Sequence, residues 1–143
     1  MASASGVGPS GRITFLGAVV SCLRQFSSGK GRASWAEYWW WALFVVIVWG
    51  LTYLCFAGVG AASSGEQATA LGAILLGIAL VLLVESLVLL VPSVAVTVRR
   101  LHDSDRTGWW AVLLLVPLVA VVVFLLCLLP GNDTANRFGP PSP

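Results

Sequence analysis

The chain has 143 residues, of which 58% are hydrophobic and only 10% are charged, and its mean hydropathy is +0.92. Soluble domains carry roughly 25% charged residues, so this chain has too little polar surface to cover a water-soluble globule, and the composition indicates a membrane protein. A net charge of +2 is too small to predict nucleic-acid binding.

The first two elements precede the long hydrophobic stretches. Residues 1–12 are small and rich in Gly and Ser, which predicts a disordered N-terminal arm. Residues 13–26 contain a short apolar run flanked by arginines, which is too short to cross a bilayer and lacks the cleavage site of a signal peptide. We therefore predict an interfacial amphipathic helix over 13–26, followed by a single membrane domain over 27–143.

Three hydrophobic segments reach the length of about 20 residues that a transmembrane helix needs. They cover about residues 37–57, 69–98 and 109–129, with a charged loop at 99–108 and a tail at 130–143. The predicted fold is an all-α integral membrane protein with three transmembrane helices plus a short N-terminal interfacial amphipathic helix. Pro92 and Pro117 are predicted kink sites in the second and third spans, because proline removes a helical hydrogen bond.

The basic residues predict the orientation of these spans. Before the first span and in the second connection lie Arg12, Arg24, Lys30, Arg32, Arg99, Arg100 and Arg106, whereas the tail carries only Arg137. Because Lys and Arg near span ends favour the cytoplasmic side, we expect the N-terminus and the 99–108 loop in the cytoplasm. With three spans the C-terminal tail is then expected outside.

Three stretches of the sequence carry a family resemblance: FSSGKGRASWAEYWWWALF, RRLHDSDRTGWWAVLLLVP and NRFGPPSP. In order and spacing they resemble the YhaH-like family of bacterial inner-membrane proteins, known as domain of unknown function 805, over roughly residues 26–142. The resemblance implies a location in the bacterial inner membrane, with several spans, and a set of marked residues. It implies no reaction.

The resemblance is carried by residues in three motifs. The matching positions are Phe26, Gly31, Arg32, Glu37, Tyr38 and Trp39; Arg99, Arg100, Leu101, His102, Asp103, Arg106, Thr107, Gly108, Trp109 and Trp110; and Asn136, Arg137, Phe138, Gly139 and Pro140. The chain departs from the family pattern by the added SSGK, by Ser34 and Trp35 at a position that is usually basic, and by Pro141 and Ser142 at a position that is usually aspartate.

The charged residues near the predicted cytoplasmic face have structural and binding interpretations. Glu37 begins the first span, where a carboxylate favours the helix N-terminus by about 0.3–1 kcal/mol, and we expect an ion pair from it to Arg32, Arg99 or Arg100. Arg99, Arg100 and Arg106 suit anionic lipid head groups, at about 1 kcal/mol each. The alternative is that they only set the topology. Trp109, Trp110 and the Trp39–Trp41 run match an aromatic belt at head-group level.

His102 and Asp103 invite an acid–base or metal interpretation. The chain has one histidine, which is too few for a typical zinc site, so no metal, cofactor or catalytic set is predicted. Asp105 is expected to cap the next helix. The residues expected to bind lipid or a partner are Arg32, Glu37, Arg99, Arg100, His102, Asp103, Arg106, Trp109, Trp110, Asn136 and Arg137.

Glu85 is the unusual residue of the second span, because an acidic side chain near the middle of a span costs about 2.5–3.5 kcal/mol. We expect it to be protonated, to bond Thr52 or Tyr53, or to line a proton or solute path. Pairs of small residues, Ala68/Gly72 and Ala73/Gly77, suit close helix approach within or between chains.

The three cysteines, Cys22, Cys55 and Cys127, form no metal-binding pattern. A disulfide between Cys55 and Cys127 is an open alternative to three free thiols acting as small buried residues.

Three functions remain open at this point. The first is a non-enzymatic membrane component that oligomerises or docks on a partner, with membrane lipids, a second copy or another membrane protein as partners. The second is an oligomeric small transporter or channel that uses Glu85. The third is a membrane-embedded lipid-modifying enzyme that uses His102 and Asp103.

Overall fold

A computed structural model describes residues 13–62 and 69–141, so the predicted arm at 1–12 lies outside the described residues. Within those ranges the regular elements are all helical, as the sequence predicts. They are α1 (Phe15–Arg24), α2 (Trp35–Ala62), α3 (Thr69–Asp103), a 3₁₀ helix (Gly108–Leu115) and α4 (Pro117–Leu128).

Helix α1 forms inside the segment predicted to be amphipathic. The hydroxyl of Thr14 caps it by accepting a hydrogen bond from the Gly17 amide at 3.1 Å. Its inner side buries Gly17, Ala18 and Cys22, while three apolar residues of the helix are exposed. The exposed residues are Leu16, Val20 and Leu23.

Helices α2 and α3 are the two elements that are long and apolar enough to cross a membrane. The candidate spans are Trp35–Val59 and Gly72–Asp103, and only 11% and 17% of their most apolar windows are buried. Their apolar side chains therefore face outward, which suits contact with lipid or another chain. Pro92 lies inside α3 and is buried, and the helix continues past it.

The helix of the second predicted span continues five residues beyond the predicted end at Val98, because α3 extends to Asp103. Arg99, Arg100 and His102 therefore lie on the last turns of a helix, and the connection to the next helix is only 104–107. Cations are favourable at a helix C-terminus, where they face the negative end of the dipole.

The third hydrophobic segment differs from the predicted span. The 3₁₀ helix ends at Leu115, Val116 is extended (φ −110°, ψ 107°), and α4 begins at Pro117. Proline has no amide hydrogen and pushes the preceding residue out of the helical region, so Pro117 starts a new helix instead of kinking a continuous one.

The described residues form two compact units. One contains residues 13–42 and 91–141, and the other contains 43–62 and 69–90. The core of the first unit consists of Leu101, Ala111, Val123 and Cys127, against which Tyr38, Val98, Leu113, Leu114 and Leu126 pack. In the second unit, Gly58 allows close approach of α2 to α3, since a Cβ there would lie 3.3 Å from Leu75.

Candidate functional site

Glu37 and Arg99 form a buried ion pair that joins the start of α2 to the end of α3. Oε1 of Glu37 lies 2.9 Å from Nη1 of Arg99, and the two residues are only 6% and 1% exposed. The Ser21 hydroxyl donates to the same carboxylate oxygen at 2.9 Å, so α1 is tied to the pair as well. The expected ion pair between Glu37 and an arginine is confirmed.

A second buried cluster is centred on the carboxylate of Asp103, which receives two guanidinium groups. Nε of Arg32 lies 2.8 Å from Oδ1, and Nη1 of Arg100 is hydrogen-bonded to Oδ2. The side chains of all three residues are at most 3% exposed. Arg100 also donates to the carbonyls of Cys127, at 3.2 Å, and Leu129. One carboxylate is therefore shared by two buried cations, and the remaining donors of both arginines reach main-chain oxygens, so the buried polar groups are hydrogen-bonded although the cluster keeps one net positive charge.

The C-terminal tail is attached to this cluster through its main chain. Arg32 donates to the carbonyls of Thr134, at 2.9 Å, and Asn132. The Asn132 amide donates in turn to the Asp103 carbonyl at 2.9 Å. At Gly131 any Cβ would overlap the Asp103 carboxylate, so only glycine lets the tail pass this closely. The segment after α4 is thereby held beside the end of α3.

Asn136 and Arg137 attach the tail to the 104–107 turn. The side-chain amide of Asn136 donates to the His102 carbonyl at 2.9 Å, and the Arg137 guanidinium donates to the Asp105 carbonyl at 2.8 Å. Arg137 also forms an ion pair with the Asp105 carboxylate at 3.1 Å, in which the side chains are 56% and 47% exposed. These contacts oppose the prediction that the tail and the 99–108 loop lie on different sides of the membrane.

His102 has a packing role in this cluster. Its ring is stacked on that of Phe138 at 3.8 Å between centroids and an interplanar angle of 4°. Its Nδ1 lies 3.2 Å from the Gly31 carbonyl. Because the Asp103 carboxylate is bonded to arginines, the geometry does not join His102 and Asp103 into an acid–base pair. Within 13–62 and 69–141, no group of three His, Cys, Asp or Glu residues is arranged to hold a metal.

Asp105 does not cap the next helix, and the prediction that it does is wrong. It adopts a left-handed conformation (φ 54°) just after α3. Its amide donates to the His102 carbonyl and the Arg106 amide to the Leu101 carbonyl, at 3.0 and 2.9 Å. This is a Schellman ending of α3, for which Asp is tolerated in place of Gly. The cap position of the 3₁₀ helix is occupied by Thr107 instead.

The arginines differ in their availability to head groups. Arg32, Arg99 and Arg100 use their guanidinium groups inside the protein, so the expected head-group contact does not fit the surroundings of these three side chains. Arg24 and Lys30 are exposed and Arg106 is partly exposed. The basic side chains that are available to lipid head groups therefore lie outside the RRLHD stretch, residues 99–103.

The tryptophans also divide into two groups. Trp109 is 81% exposed and Trp110 is 39% exposed, as an aromatic belt requires. Trp41 is instead buried, and its indole nitrogen donates to the Ser93 hydroxyl at 3.0 Å. The sequence interpretation missed this tether between α2 and α3, because nothing in the Trp39–Trp41 run distinguishes the inward ring from its neighbours.

Cys22 is the cysteine nearest the Glu37–Arg99 pair, with its sulfur 3.8 Å from each partner. Burial, reinforced by the negative charge of Glu37, raises the pKa of the Cys22 thiol to about 12, although Arg99 acts in the opposite direction. The thiol is therefore neutral and unreactive at physiological pH. All three cysteines are free, so the disulfide alternative does not apply.

Glu85 is remote in sequence from both clusters and lies in the other unit, on α3. It is exposed, and among the described residues it takes part in no ion pair. The bond to Thr52 considered from the sequence is absent from the described residues, where the Thr52 hydroxyl donates to the Val48 carbonyl at 2.9 Å. Tyr53 is 74% exposed.

Comparison with known proteins identifies relatives over most of the chain. The sequence model of the family described as "Protein of unknown function (DUF805)" matches residues 26–140. The inner membrane protein YhaH of Escherichia coli K12 is 30% identical over 122 residues, which are 82% of this chain and 89% of YhaH. The inner membrane protein YhaI of the same strain is 32% identical over 121 residues, which are 84% of this chain and 90% of YhaI. No solved structure matches the chain.

Proposed function

Because the chain belongs to the DUF805 family and is similar to inner membrane proteins over most of its length, we propose that it is a non-enzymatic inner-membrane component that associates with a second copy or another membrane protein. The observation that carries this proposal is the exposure of Glu85 on α3. The proposal concerns the α2–α3 surface, whereas the charged clusters hold the chain together.

The depth of Glu85 is the first argument. At about 1.5 Å per residue, Glu85 lies roughly 20 Å along α3 from Gly72 and roughly 27 Å from Asp103, the ends of the candidate span. An acidic side chain at the centre of a span costs about 2.5–3.5 kcal/mol. A polar group from another chain, or a water-filled cavity between chains, would remove most of that cost.

The surroundings of Glu85 on α3 support an interface there. At about 100° per residue, Gly77, Val81 and Val88 lie within about 80° of Glu85 around α3, and all four residues are exposed. A Cβ at Gly77 would meet nothing within 4 Å, so this glycine is not required by packing within the chain. Small residues together with a polar side chain are typical of membrane helix interfaces.

The buried charges argue against catalysis at the RRLHD motif. Glu37, Asp103 and their arginines are already paired with one another. His102 is packed against Phe138, and the Cys22 thiol is held neutral. The Ser21 hydroxyl contacts the Glu37 carboxylate, but that carboxylate is already paired with Arg99, so these contacts support a structural role.

We expect the lipid contacts to come from exposed side chains, not from the buried charged clusters. We propose that the N-terminus and the 104–107 turn lie in the cytoplasm, that the apolar face of α1 rests in the interface, and that Arg24, Lys30 and Arg106 meet anionic head groups. The exposed stripe of α1 and the exposure of Arg24 and Lys30 support this arrangement.

Exchange of Glu85 tests the proposal. The wild type, Glu85→Leu and the control Leu83→Val, at an exposed position on the opposite side of α3, would be compared by native mass spectrometry after extraction in native nanodiscs. We expect the wild type to carry a second copy or a co-extracted membrane protein. Because interhelical hydrogen bonds contribute about 0.6–2 kcal/mol, Glu85→Leu should weaken association by about 3- to 30-fold, and Leu83→Val should not. A wild-type chain that is alone in nanodiscs would contradict the proposal.

An oligomeric transporter is the second candidate, and the same exposed carboxyl group favours it. In this case Glu85 lines a path shared between copies and moves a proton. Glu85→Gln would then abolish proton flux into liposomes while the assembly is kept. Unchanged flux in this variant would leave association as the role of Glu85.

A further inference from the structure

We infer that the apolar segment from Gly108 to Leu128 is a re-entrant hairpin that enters the membrane beside the 104–107 turn and leaves on the same side. The tail after α4 then lies in the same compartment as the turn, and the outer surface of the hairpin contacts the acyl chains of a single leaflet. This inference does not depend on Glu85 or on association between chains.

The lengths of the two helices are the first argument. The 3₁₀ helix has 8 residues and α4 has 12, so at about 2.0 and 1.5 Å per residue they extend roughly 16 and 18 Å. The hydrocarbon core is about 30 Å thick. Neither helix crosses it, and the extended residue Val116 separates them.

The two ends of the segment are the second argument, because they lie together. The Asn132 amide, after α4, bonds the Asp103 carbonyl, before the 3₁₀ helix, at 2.9 Å. Arg100 on α3 bonds the Leu129 carbonyl, and Asn136 bonds the His102 carbonyl. A segment that crossed the bilayer would separate these partners by the full thickness of the membrane.

The break at the tip is compatible with membrane depth, because both backbone polar groups of Val116 are hydrogen-bonded. The Val116 amide donates to the Leu113 carbonyl at 3.1 Å, and the Val116 carbonyl accepts from the Ala120 amide at 2.8 Å. Non-helical backbone is tolerated inside a bilayer only where such partners or protein contacts are available. Inside the hairpin, Ala111 and Val123 are buried in one core with Leu101.

The outer surface of the hairpin has the composition of a lipid-contacting surface. The sequence carries no charged residue between Arg106 and Asp133. The large apolar residues exposed on the hairpin include Trp109, Val112, Val121, Phe124, Leu125 and Leu128. Water would make such a surface unfavourable, whereas acyl chains cover it without cost.

The hairpin also places Arg137 on the same side of the membrane as the other basic residues. With three crossings, seven of the 8 basic residues share one side and Arg137 lies on the other. With two crossings and a hairpin, Arg137 joins them, and its ion pair with Asp105 becomes possible. All Lys and Arg residues then follow the positive-inside rule.

Labelling of single introduced cysteines with a membrane-impermeant maleimide in intact and permeabilised cells tests the inference. Ala135→Cys reports on the tail, Thr107→Cys on the turn and Ser64→Cys on the connection between α2 and α3. The parent chain with its native cysteines is the blank. We expect Ala135→Cys and Thr107→Cys to react only after permeabilisation, with at least a tenfold increase, and Ser64→Cys to react in intact cells.

Each other outcome has a definite meaning. Reaction of Ala135→Cys in intact cells while Thr107→Cys stays protected would overturn the hairpin. Reaction of both in intact cells would keep the hairpin and reverse the orientation. Should a cysteine variant not accumulate, fusions after Pro143 decide instead, since we expect a fluorescent cytoplasmic reporter and inactive alkaline phosphatase. Active phosphatase with a dark reporter would overturn the inference.

Discussion

Two acidic residues of α3 have opposite surroundings. Asp103 is 2% exposed and receives Arg32 and Arg100, whereas Glu85 is exposed and forms no ion pair with the described residues. The buried carboxylate of Asp103 is paired with cations of the same chain, so its burial requires no partner from outside the chain. Glu85 has no such cations although it lies near the centre of a candidate span, which indicates a polar partner outside the chain.

Asp103→Asn is expected to have the largest effect, because it leaves two buried guanidinium groups without a counter-charge. Removal of one partner from a buried ion pair destabilises by about 3–5 kcal/mol, so we expect a loss of that size in the free energy of unfolding and little accumulation in the membrane. Denaturant unfolding in detergent and immunoblots of membranes measure these quantities.

The matched control is Asp105→Asn, two positions along the chain. The Asp105–Arg137 pair is about half exposed, and exposed pairs contribute about 0.2–1 kcal/mol. Asn also tolerates the left-handed conformation at this position. Equal losses in the free energy of unfolding would show that the Asp103 cluster contributes no more stability than the Asp105–Arg137 pair.

Glu37→Gln is expected to have an intermediate effect. It keeps an oxygen that can accept from Arg99 but leaves the buried guanidinium charge uncompensated, and hydrogen bonds to charged groups are worth about 1.5–3 kcal/mol. We expect a loss in this range in the free energy of unfolding. The double variant Glu37→Gln/Arg99→Gln should recover part of it, because no buried charge remains. Losses that simply add would contradict a direct coupling between Glu37 and Arg99.

Substitution of His102 is expected to have a smaller effect than Glu37→Gln and separates packing from chemistry. His102→Phe keeps a ring on Phe138 and should change stability little, whereas His102→Ala loses a stack worth about 0.5–1.5 kcal/mol. Unfolding measurements on both variants check this order. If His102→Phe accumulates normally but fails to complement a phenotype of a strain that lacks the gene, the imidazole has a chemical role, and the enzyme hypothesis is favoured.

The RRLHD and NRFGP motifs show how far the sequence alone reaches. Their residue types predicted a polar site at one membrane face, and the Glu37 ion pair followed from depth and charge. The partners did not follow, because Arg32 and Asp103 are 71 residues apart and Arg32 and Asn132 are 100 apart. Composition does not encode which of several arginines at one depth turns inward, so Arg99 and Arg100 were expected at head groups although they are buried.

By itself the sequence determined the membrane class, the two long apolar helices and the family, since hydropathy and motifs are local properties of the chain. Only the tertiary structure decided the course of the segment after Asp103. Twenty apolar residues are equally suited to crossing a bilayer or folding back within it. The difference lies in the break at Val116–Pro117 and in the bonds that Arg32 and Arg100 make to a tail far along the chain.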